Sequence, residues 1–269
     1  MKVAHFLWIV TGAASGLGLA TVHELVRLGG YVAVLDLDPD KGKQVEMLLS
    51  GCAAFFECDV GDKESVKRAL QNVKTKWPER KWGGVVHCGG VGMAGKTVGN
   101  DGTPFSLDVF REVHRINLLG SFLVASHVAA ELIKQSPPPH DYSHPDAKDV
   151  NEDRGVIILT SSVSATEGQM GQTAYASSKA GVEGLVLPMA RDLARYGIRV
   201  VCIAPSLFST NMGANTSDKV RASLLRTTLF PPRFGTPPEF AQLAVQVVEN
   251  GYLNGTVIRL DGGSRMAKM

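Results

Sequence analysis

The chain has few cysteines, and their spacing gives no metal-binding pattern. Four cysteines occur among 269 residues, none in a Cys-x-x-Cys pair or in a cluster with the ligand spacing of zinc. Isolated cysteines of this kind are typical of buried free thiols in a reducing compartment. We therefore predict that the protein binds no metal ion.

Strong charge of either sign is also lacking. The formal net charge is +2 at pH 7, and no basic tract is interleaved with aromatic residues, so the sequence predicts no nucleic-acid partner and no membrane partner. No apolar run approaches the roughly 20 residues that a membrane span needs. The apolar segment 3–10 ends in Thr11-Gly12 and not in a small-residue cleavage site, which favours a first strand over a signal peptide.

The remaining composition is that of a globular protein. Hydrophobic residues make up 44% and charged residues 20%, and the length suits one α/β domain over residues 1–269. Two segments stand out. Residues 136–154 are polar and proline-rich, which predicts a surface loop. Residues 206–236 follow a predicted strand and are a candidate substrate lid.

Short apolar runs alternate with helical patterns along the chain. The runs show little polar alternation, as expected for strands that helices cover on both faces. The predicted strands lie near 4–10, 31–36, 53–57, 84–88, 156–160, 199–204 and 256–260. The predicted helices lie near 16–29, 39–49, 62–75, 106–134, 173–196 and 237–249. This order predicts a Rossmann-type, doubly wound, mostly parallel seven-stranded sheet.

A glycine-rich segment, Thr11-Gly12-Ala13-Ala14-Ser15-Gly16-Leu17-Gly18, follows the first predicted strand and begins a helix. Glycines allow the backbone to approach a pyrophosphate, and the helix N-terminus offers free N–H groups. A tight turn without a ligand is the alternative. The position directly after the first strand favours a dinucleotide site.

Asp36 ends the second predicted strand, at the distance from Gly16 at which a carboxylate accepts hydrogen bonds from the adenosine ribose. This carboxylate would repel a 2′-phosphate, and no Lys or Arg stands at 13–17 or at 37 to neutralise it. The sequence therefore favours NAD(H) over NADP(H). The alternative is that Asp36 caps the next helix, a role that Asp38 fits better.

The third and fourth predicted strands end in further candidates. Asp59 can face the adenine amino group or cap the helix that begins near Asp62. Gly89 and Gly90 leave room for a cofactor, and we expect Cys88 to line the pocket and not to react.

Tyr175 and Lys179 lie four residues apart in a predicted helix and therefore on one face. An ammonium group beside a phenol stabilises the phenolate, which makes Tyr175 a candidate general acid/base, while Lys179 can hold the nicotinamide ribose. Ser162 can hold the substrate oxygen or cap a turn. Asn117, in an apolar helix, can hold a water that relays protons to Lys179, or it can be a hydrogen-bonded core residue.

Together these motifs resemble the classical short-chain dehydrogenase/reductase family, and they span nearly the whole chain in the family's order. The resemblance implies Tyr175 as general acid/base, Ser162 as the residue that orients the substrate, Lys179 as the residue that binds the ribose and Asn117 as the proton-relay residue. It implies Pro205 and Thr210 beside the nicotinamide, and a homotetramer in most members.

Segments 167–172, 187–194, 197–200, 204–208 and 253–262 look like the type 2 3-hydroxyacyl-CoA dehydrogenases, a group that includes a mitochondrial 17β-hydroxysteroid dehydrogenase. This resemblance implies NAD-dependent interconversion of 3-hydroxyacyl-CoA and 3-ketoacyl-CoA. It implies a mitochondrial location, with the cytoplasm as the alternative because no Arg-rich leader is evident. The cofactor residues are then Gly12, Ser15, Gly16, Leu17, Gly18, Asp36, Asp59, Val60, Cys88, Gly90, Tyr175, Lys179, Pro205, Phe208 and Thr210; the substrate residues are Ser162, Gln172 and Tyr175.

Two other functions stay open at this point. One is a dehydrogenase of hydroxysteroids or other hydrophobic alcohols, because the cations Lys219, Arg221, Arg226 and Arg233 can meet CoA phosphates or simply face solvent. The other is a dinucleotide-binding scaffold without turnover, against which the four retained candidate catalytic residues argue.

The sequence departs from the family at three places. His87 and Gly89 replace the usual Asn and Ala after the fourth strand, which puts local sheet stability in doubt. Ser206 replaces the usual Gly after Pro205, next to the nicotinamide. The 136–154 loop looks longer than in the group.

Overall fold

A computed structural model describes residues 1–135, 152–210 and 225–265. Most of the predicted 136–154 loop, and the central part of the predicted lid at 206–236 with Lys219 and Arg221, lie outside the described residues.

Seven parallel strands form one sheet in the order β3-β2-β1-β4-β5-β6-β7. This confirms the predicted Rossmann-type fold. The strands are β1 Leu7–Thr11, β2 Tyr31–Asp36, β3 Ala53–Glu57, β4 Trp82–His87, β5 Gly155–Thr160, β6 Ile198–Pro205 and β7 Thr256–Leu260. The strand order reverses between β1 and β4, and the crevice beyond their carboxyl ends is where ligands bind in such sheets.

The first strand begins three residues later than predicted, at Leu7. The reason is His5, whose φ of 71° is left-handed and incompatible with an extended strand. The chain turns there, and the Trp8 indole donates a hydrogen bond to the Val3 carbonyl.

The helices agree with the predicted pattern. They are α1 Gly16–Arg27, α2 Pro39–Leu48, α3 Lys63–Lys76, α4 Leu107–His114, α5 Gly120–Lys134, α6 Thr173–Ala194 and α7 Pro237–Glu249. A π-helical turn, Arg115–Leu119, joins α4 to α5, so the predicted helix 106–134 is continuous but locally widened. Such turns are frequent at functional sites, and this one contains Asn117.

Helices cover both faces of the sheet because successive strand side chains point to opposite sides. In β1, Leu7 and Ile9 pack with side chains of α3, α5 and α6. Trp8 and Val10 pack on the other face with α1, α2 and α7. All four are fully buried, and each contributes roughly 1.5–3 kcal/mol by leaving water.

The helical run Leu107–Lys134 corrects the expectation that no apolar run approaches the length of a membrane span. It contains 28 residues and passes a length and hydropathy test for a membrane span, with a mean hydropathy of 1.6. Half of its most apolar window is buried inside the protein. Packing against the sheet therefore accounts for much of its composition.

Candidate active site

A cavity of about 290 Å³ opens beyond the carboxyl ends of β1 and β4. Most of the predicted cofactor residues line it. They are Gly12, Ser15, Gly16, Leu17, Gly18, Asp36, Asp59, Val60, Cys88, Gly90 and Thr210. Gly89, which was expected to leave room for a cofactor, also lines the cavity. Four further lining residues were not predicted from the sequence: Leu37, Cys58, Val91 and Ile116.

Two glycines of the glycine-rich segment, one in the loop after β1 and one in the first turn of α1, cannot be replaced without a clash. Gly12 has a φ of 58°, and an added Cβ would lie 2.9 Å from the Gly89 amide nitrogen. An added Cβ on Gly18 would overlap the Gly12 carbonyl oxygen. The segment is therefore tightly folded. Ser15, the N-cap of α1, makes no side-chain capping hydrogen bond, and an anion is favoured at such a helix N-terminus.

Asp36 lies at the rim of this cavity, and two backbone N–H groups hold its carboxylate. Ala14 N donates to Oδ2 at 2.9 Å and Asp38 N donates to Oδ1 at 3.1 Å. Asp38 is the N-cap of α2, so the capping alternative for Asp36 is wrong. Lys41 is bound to Asp38, with Nζ 2.6 Å from Oδ2.

Asp59 does not cap α3, because Asp62 accepts from Ser65 N and fills that position. Instead, Asp59 accepts from the Gly61 amide and pairs with Arg115, whose Nη1 is 3.0 Å from Oδ2. Arg115 also binds Glu112. This pair could not be predicted from the sequence, because Asp59 and Arg115 are far apart along the chain.

The end of β4 lies beneath the cavity. His87 is 1% exposed, and its Nδ1 is 2.8 Å from Thr11 Oγ1. Burial, with a smaller contribution from the Lys179 ammonium, lowers the pKa of His87 to about 3. Burial also raises the pKa of the Cys88 thiol to about 12. Cys88 is therefore a thiol at neutral pH and not a nucleophile.

Lys179 reaches the same region from α6. Its side chain is buried, and Nζ donates to the Thr160 carbonyl at 2.9 Å. An added Cβ on Gly90 would lie 3.4 Å from Lys179 Nζ and 3.1 Å from Asn117 Oδ1. The missing side chain at Gly90 thus leaves space between the two candidate catalytic groups.

Asn117 is fully buried, and its side-chain amide is hydrogen-bonded on both sides. Oδ1 accepts from Val91 N at 2.8 Å, while Nδ2 donates to Val91 O and to Ser178 Oγ, each at 3.0 Å. Asn117 therefore ties the segment after β4 to α6. Its predicted proton-relay role stays a prediction.

Tyr175 and Lys179 lie on one face of α6, as predicted. Lys179 Nζ is 5.9 Å from the centre of the Tyr175 ring. Ser162 follows β5 as the N-cap of a short 3₁₀ helix, Val163–Ala165, and accepts from Ser164 N at 3.1 Å. Ser162 can therefore cap this turn and also hold the substrate oxygen, because its hydroxyl accepts one hydrogen bond and can still donate another.

Gln172 precedes α6 and closes its own loop, with Oε1 accepting from Gln169 N at 2.8 Å. Pro205 ends β6.

Phe208 lies outside the cofactor cavity, in a second cavity of about 180 Å³ that Ser206 also lines. Ser206 donates to the Asp261 carbonyl and does not have a positive φ, so its replacement of Gly needs no strained backbone.

The described part of the chain contains no group of three His, Cys, Asp or Glu side chains that could hold a metal ion. Within the same residues, the four cysteines are free thiols.

Comparison with known proteins assigns this fold and cavity to a class. The family model of the short-chain dehydrogenases matches residues 7–221. The chain therefore belongs to the short-chain dehydrogenase family and is an oxidoreductase that acts on CH–OH groups with NAD or NADP.

Individual relatives are similar over nearly the full length. The 3-hydroxyacyl-CoA dehydrogenase type-2 of Bos taurus is 42% identical over 96% of this chain and 94% of its own. The enzyme of that name from Drosophila melanogaster is 41% identical over 96% of both chains. A crystal structure of 3-hydroxyacyl-CoA dehydrogenase type-2 from Mycobacterium avium has a TM-score of 0.88 and 37% identity, and the match covers 98% of both chains.

Proposed function

We propose that this protein is an NAD(H)-dependent dehydrogenase that interconverts 3-hydroxyacyl-CoA and 3-ketoacyl-CoA. The observation that carries the substrate class is the 40–42% identity, over 96% of the chain, to enzymes named 3-hydroxyacyl-CoA dehydrogenase type-2. The retained Ser162, Tyr175 and Lys179 support turnover.

The choice of NAD over NADP is supported by the charges at the cavity rim. The Asp36 carboxylate is fixed by two backbone N–H groups, and its remaining lone pairs can accept ribose hydroxyls. A 2′-phosphate at this place would meet the carboxylate at close range. Lys41, the nearest cation onward in sequence, is already paired with Asp38.

The residues also fit the rest of a dinucleotide. The loop Gly12–Gly18 presents backbone at a helix N-terminus for the pyrophosphate. The buried Lys179 ammonium has three donors and, among the described residues, one hydrogen-bond acceptor, Thr160 O. The ribose hydroxyls of a bound nicotinamide would supply further acceptors. A bound NAD would supply the acceptor for the hydride of the carbinol carbon.

The protein's part in the reaction is to orient the substrate and to move its hydroxyl proton. The Ser162 hydroxyl donates to the substrate oxygen, and the Gln172 amide can donate from Nε2. The Tyr175 phenolate accepts the hydroxyl proton as the carbonyl forms, and the phenol returns it in the reverse direction. The Lys179 ammonium lies on the same face of α6, with Nζ 5.9 Å from the centre of the Tyr175 ring.

Two of the four cations that can meet CoA phosphates, Arg226 and Arg233, lie among the described residues. The Arg233 guanidinium donates two hydrogen bonds to the Glu239 carboxylate, at 2.8 and 3.0 Å. It donates a third to the Phe234 carbonyl. This pairing supports a structural role for Arg233. Arg226 is exposed and stays a candidate phosphate ligand.

We also propose a homotetramer, as the resemblance implies. The helical run that contains α4 and α5 leaves Leu119 and Phe122 nearly half exposed, at 46% and 45%. Apolar side chains exposed on one helical run are suited to association. Light scattering on the purified protein should give four times the chain mass; a monomer would contradict this proposal.

The substrate and cofactor are tested together by following NADH consumption with acetoacetyl-CoA, with a ketosteroid and NADPH in parallel. We expect turnover with acetoacetyl-CoA and NADH, and at least roughly tenfold lower kcat/KM with NADPH because of Asp36. Turnover with the steroid alone would overturn the substrate class but keep the mechanism. NADH binding without turnover on any ketone would support the scaffold alternative.

A further inference from the structure

One side-chain contact joins the two strands that flank the cofactor cavity. Thr11 ends β1 and His87 ends β4, and the two residues are register partners in the sheet. Thr11 Oγ1 lies 2.8 Å from His87 Nδ1 and accepts the Gly89 N–H at 3.0 Å. A single hydroxyl thus connects His87 to the backbone of the next loop.

This hydroxyl lies next to two glycines that line the cavity. Gly12 follows Thr11, and an added Cβ on Gly12 would lie 2.9 Å from the Gly89 nitrogen. Gly12 and Gly89 both line the cavity. The position of the Gly89 amide therefore sets the space available to a ligand between the ends of β1 and β4.

Counting protons assigns the tautomer of His87. The Thr11 hydroxyl has one hydrogen, and the neutral imidazole has one N–H. His87 Nε2 is buried and has no hydrogen-bond partner within the described residues. If Nδ1 carried the ring proton, two groups would lack a partner among the described residues: the Thr11 hydroxyl hydrogen and the His87 Nε2 lone pair. If Thr11 donates to Nδ1, only the Nε2–H is left without a partner, and fewer buried unsatisfied groups are favoured.

We propose that His87 is a positioning residue for the dinucleotide: its neutral ring, protonated on Nε2, accepts the Thr11 hydroxyl and so fixes the Gly89 amide at the floor of the cavity. The inference rests on the proposed function, because the dinucleotide is the ligand whose binding it controls. It assigns a binding role to the position where the sequence departs from the usual Asn.

The tautomer is tested on the ligand-free protein. Nitrogen NMR of histidine-labelled wild type should show a protonated Nε2 and an unprotonated Nδ1 for the signal that disappears in His87→Asn. Protonation on Nδ1 would overturn the proposal. This result does not depend on NADH binding, so it separates a failure of this inference from a failure of the proposed function.

The positioning role is tested by the Kd for NADH. His87→Phe keeps a ring without an acceptor, and Thr11→Val keeps the shape without the hydroxyl. Each should raise the Kd roughly tenfold, and the double variant should be no worse than the weaker-binding single variant. His87→Asn, whose amide oxygen can accept the Thr11 hydroxyl, should restore most of the affinity.

His127→Phe is the matched control, because His127 lies on α5 and binds the Leu123 carbonyl away from the cavity. Its Kd should equal that of wild type. Additive effects of His87→Phe and Thr11→Val, or an unchanged Kd in either single variant, would overturn the positioning role. If both variants fail to fold, the tautomer measured on wild type still decides.

Discussion

Lowering the pH should destabilise this protein through His87, by an amount that follows from its burial. In the unfolded chain a histidine has a pKa of about 6.5, whereas burial beside Lys179 lowers the pKa of folded His87 to about 3. Between these values the unfolded state binds one proton more than the folded state. The stability that neutral His87 contributes is therefore fully present above the unfolded pKa of about 6.5. It is lost as the pH falls from there toward the folded pKa of about 3.

The slope gives the magnitude. One proton contributes about 1.4 kcal/mol per pH unit, so the free energy of unfolding should fall by about 2 kcal/mol between about pH 7 and about pH 5. Urea unfolding of wild type and His87→Asn at a series of pH values isolates this proton, because the variant cannot bind it. Above neutral pH the difference between the two proteins should be constant. If the free energies of unfolding of the two proteins stay parallel as the pH falls from about 7 to about 5, the reasoning is refuted.

Three further variants test the loop, the rim and the core. Gly18→Ala should weaken NADH binding at least roughly tenfold, because its Cβ would overlap the carbonyl of the loop's first glycine; Gly184→Ala, whose Cβ would meet open space, should leave the Kd unchanged. Asp36→Asn should narrow the preference for NADH over NADPH by roughly tenfold, measured as the ratio of the two kcat/KM values. Arg199→Met should lower the free energy of unfolding by about 3 kcal/mol in urea, because its buried guanidinium binds three carbonyl oxygens and a carboxylate. Arg27→Met, which breaks an exposed pair, should lower the free energy of unfolding far less than Arg199→Met does.

Local patterns predicted much of the fold and of the candidate site. The glycine loop could be placed because it follows an apolar run and begins a helix. The Tyr175–Lys179 spacing fixed their common helix face without any tertiary information. These features depend on neighbours within a few residues, which the sequence displays directly.

Contacts between distant segments could not be predicted in the same way. From the sequence, Asp59 could either face the adenine or cap a helix, and its ion pair with Arg115 is evident only in the folded chain. His87 looked like a question of sheet stability, and its link to Thr11 depends on the parallel pairing of β1 with β4. The π-helical turn at Asn117 also lacks a sequence signal, since its apolar neighbours suit an ordinary helix equally well.

The most direct test of the central claim is the turnover of Tyr175→Phe with acetoacetyl-CoA and NADH, measured beside its Kd for NADH. The phenylalanine keeps the ring and removes only the hydroxyl that exchanges the proton. We predict that kcat falls roughly a hundredfold to ten-thousandfold while NADH binding stays measurable. Turnover equal to wild type would contradict the assignment of Tyr175 as the general acid/base, and with it the proposed reaction at this site.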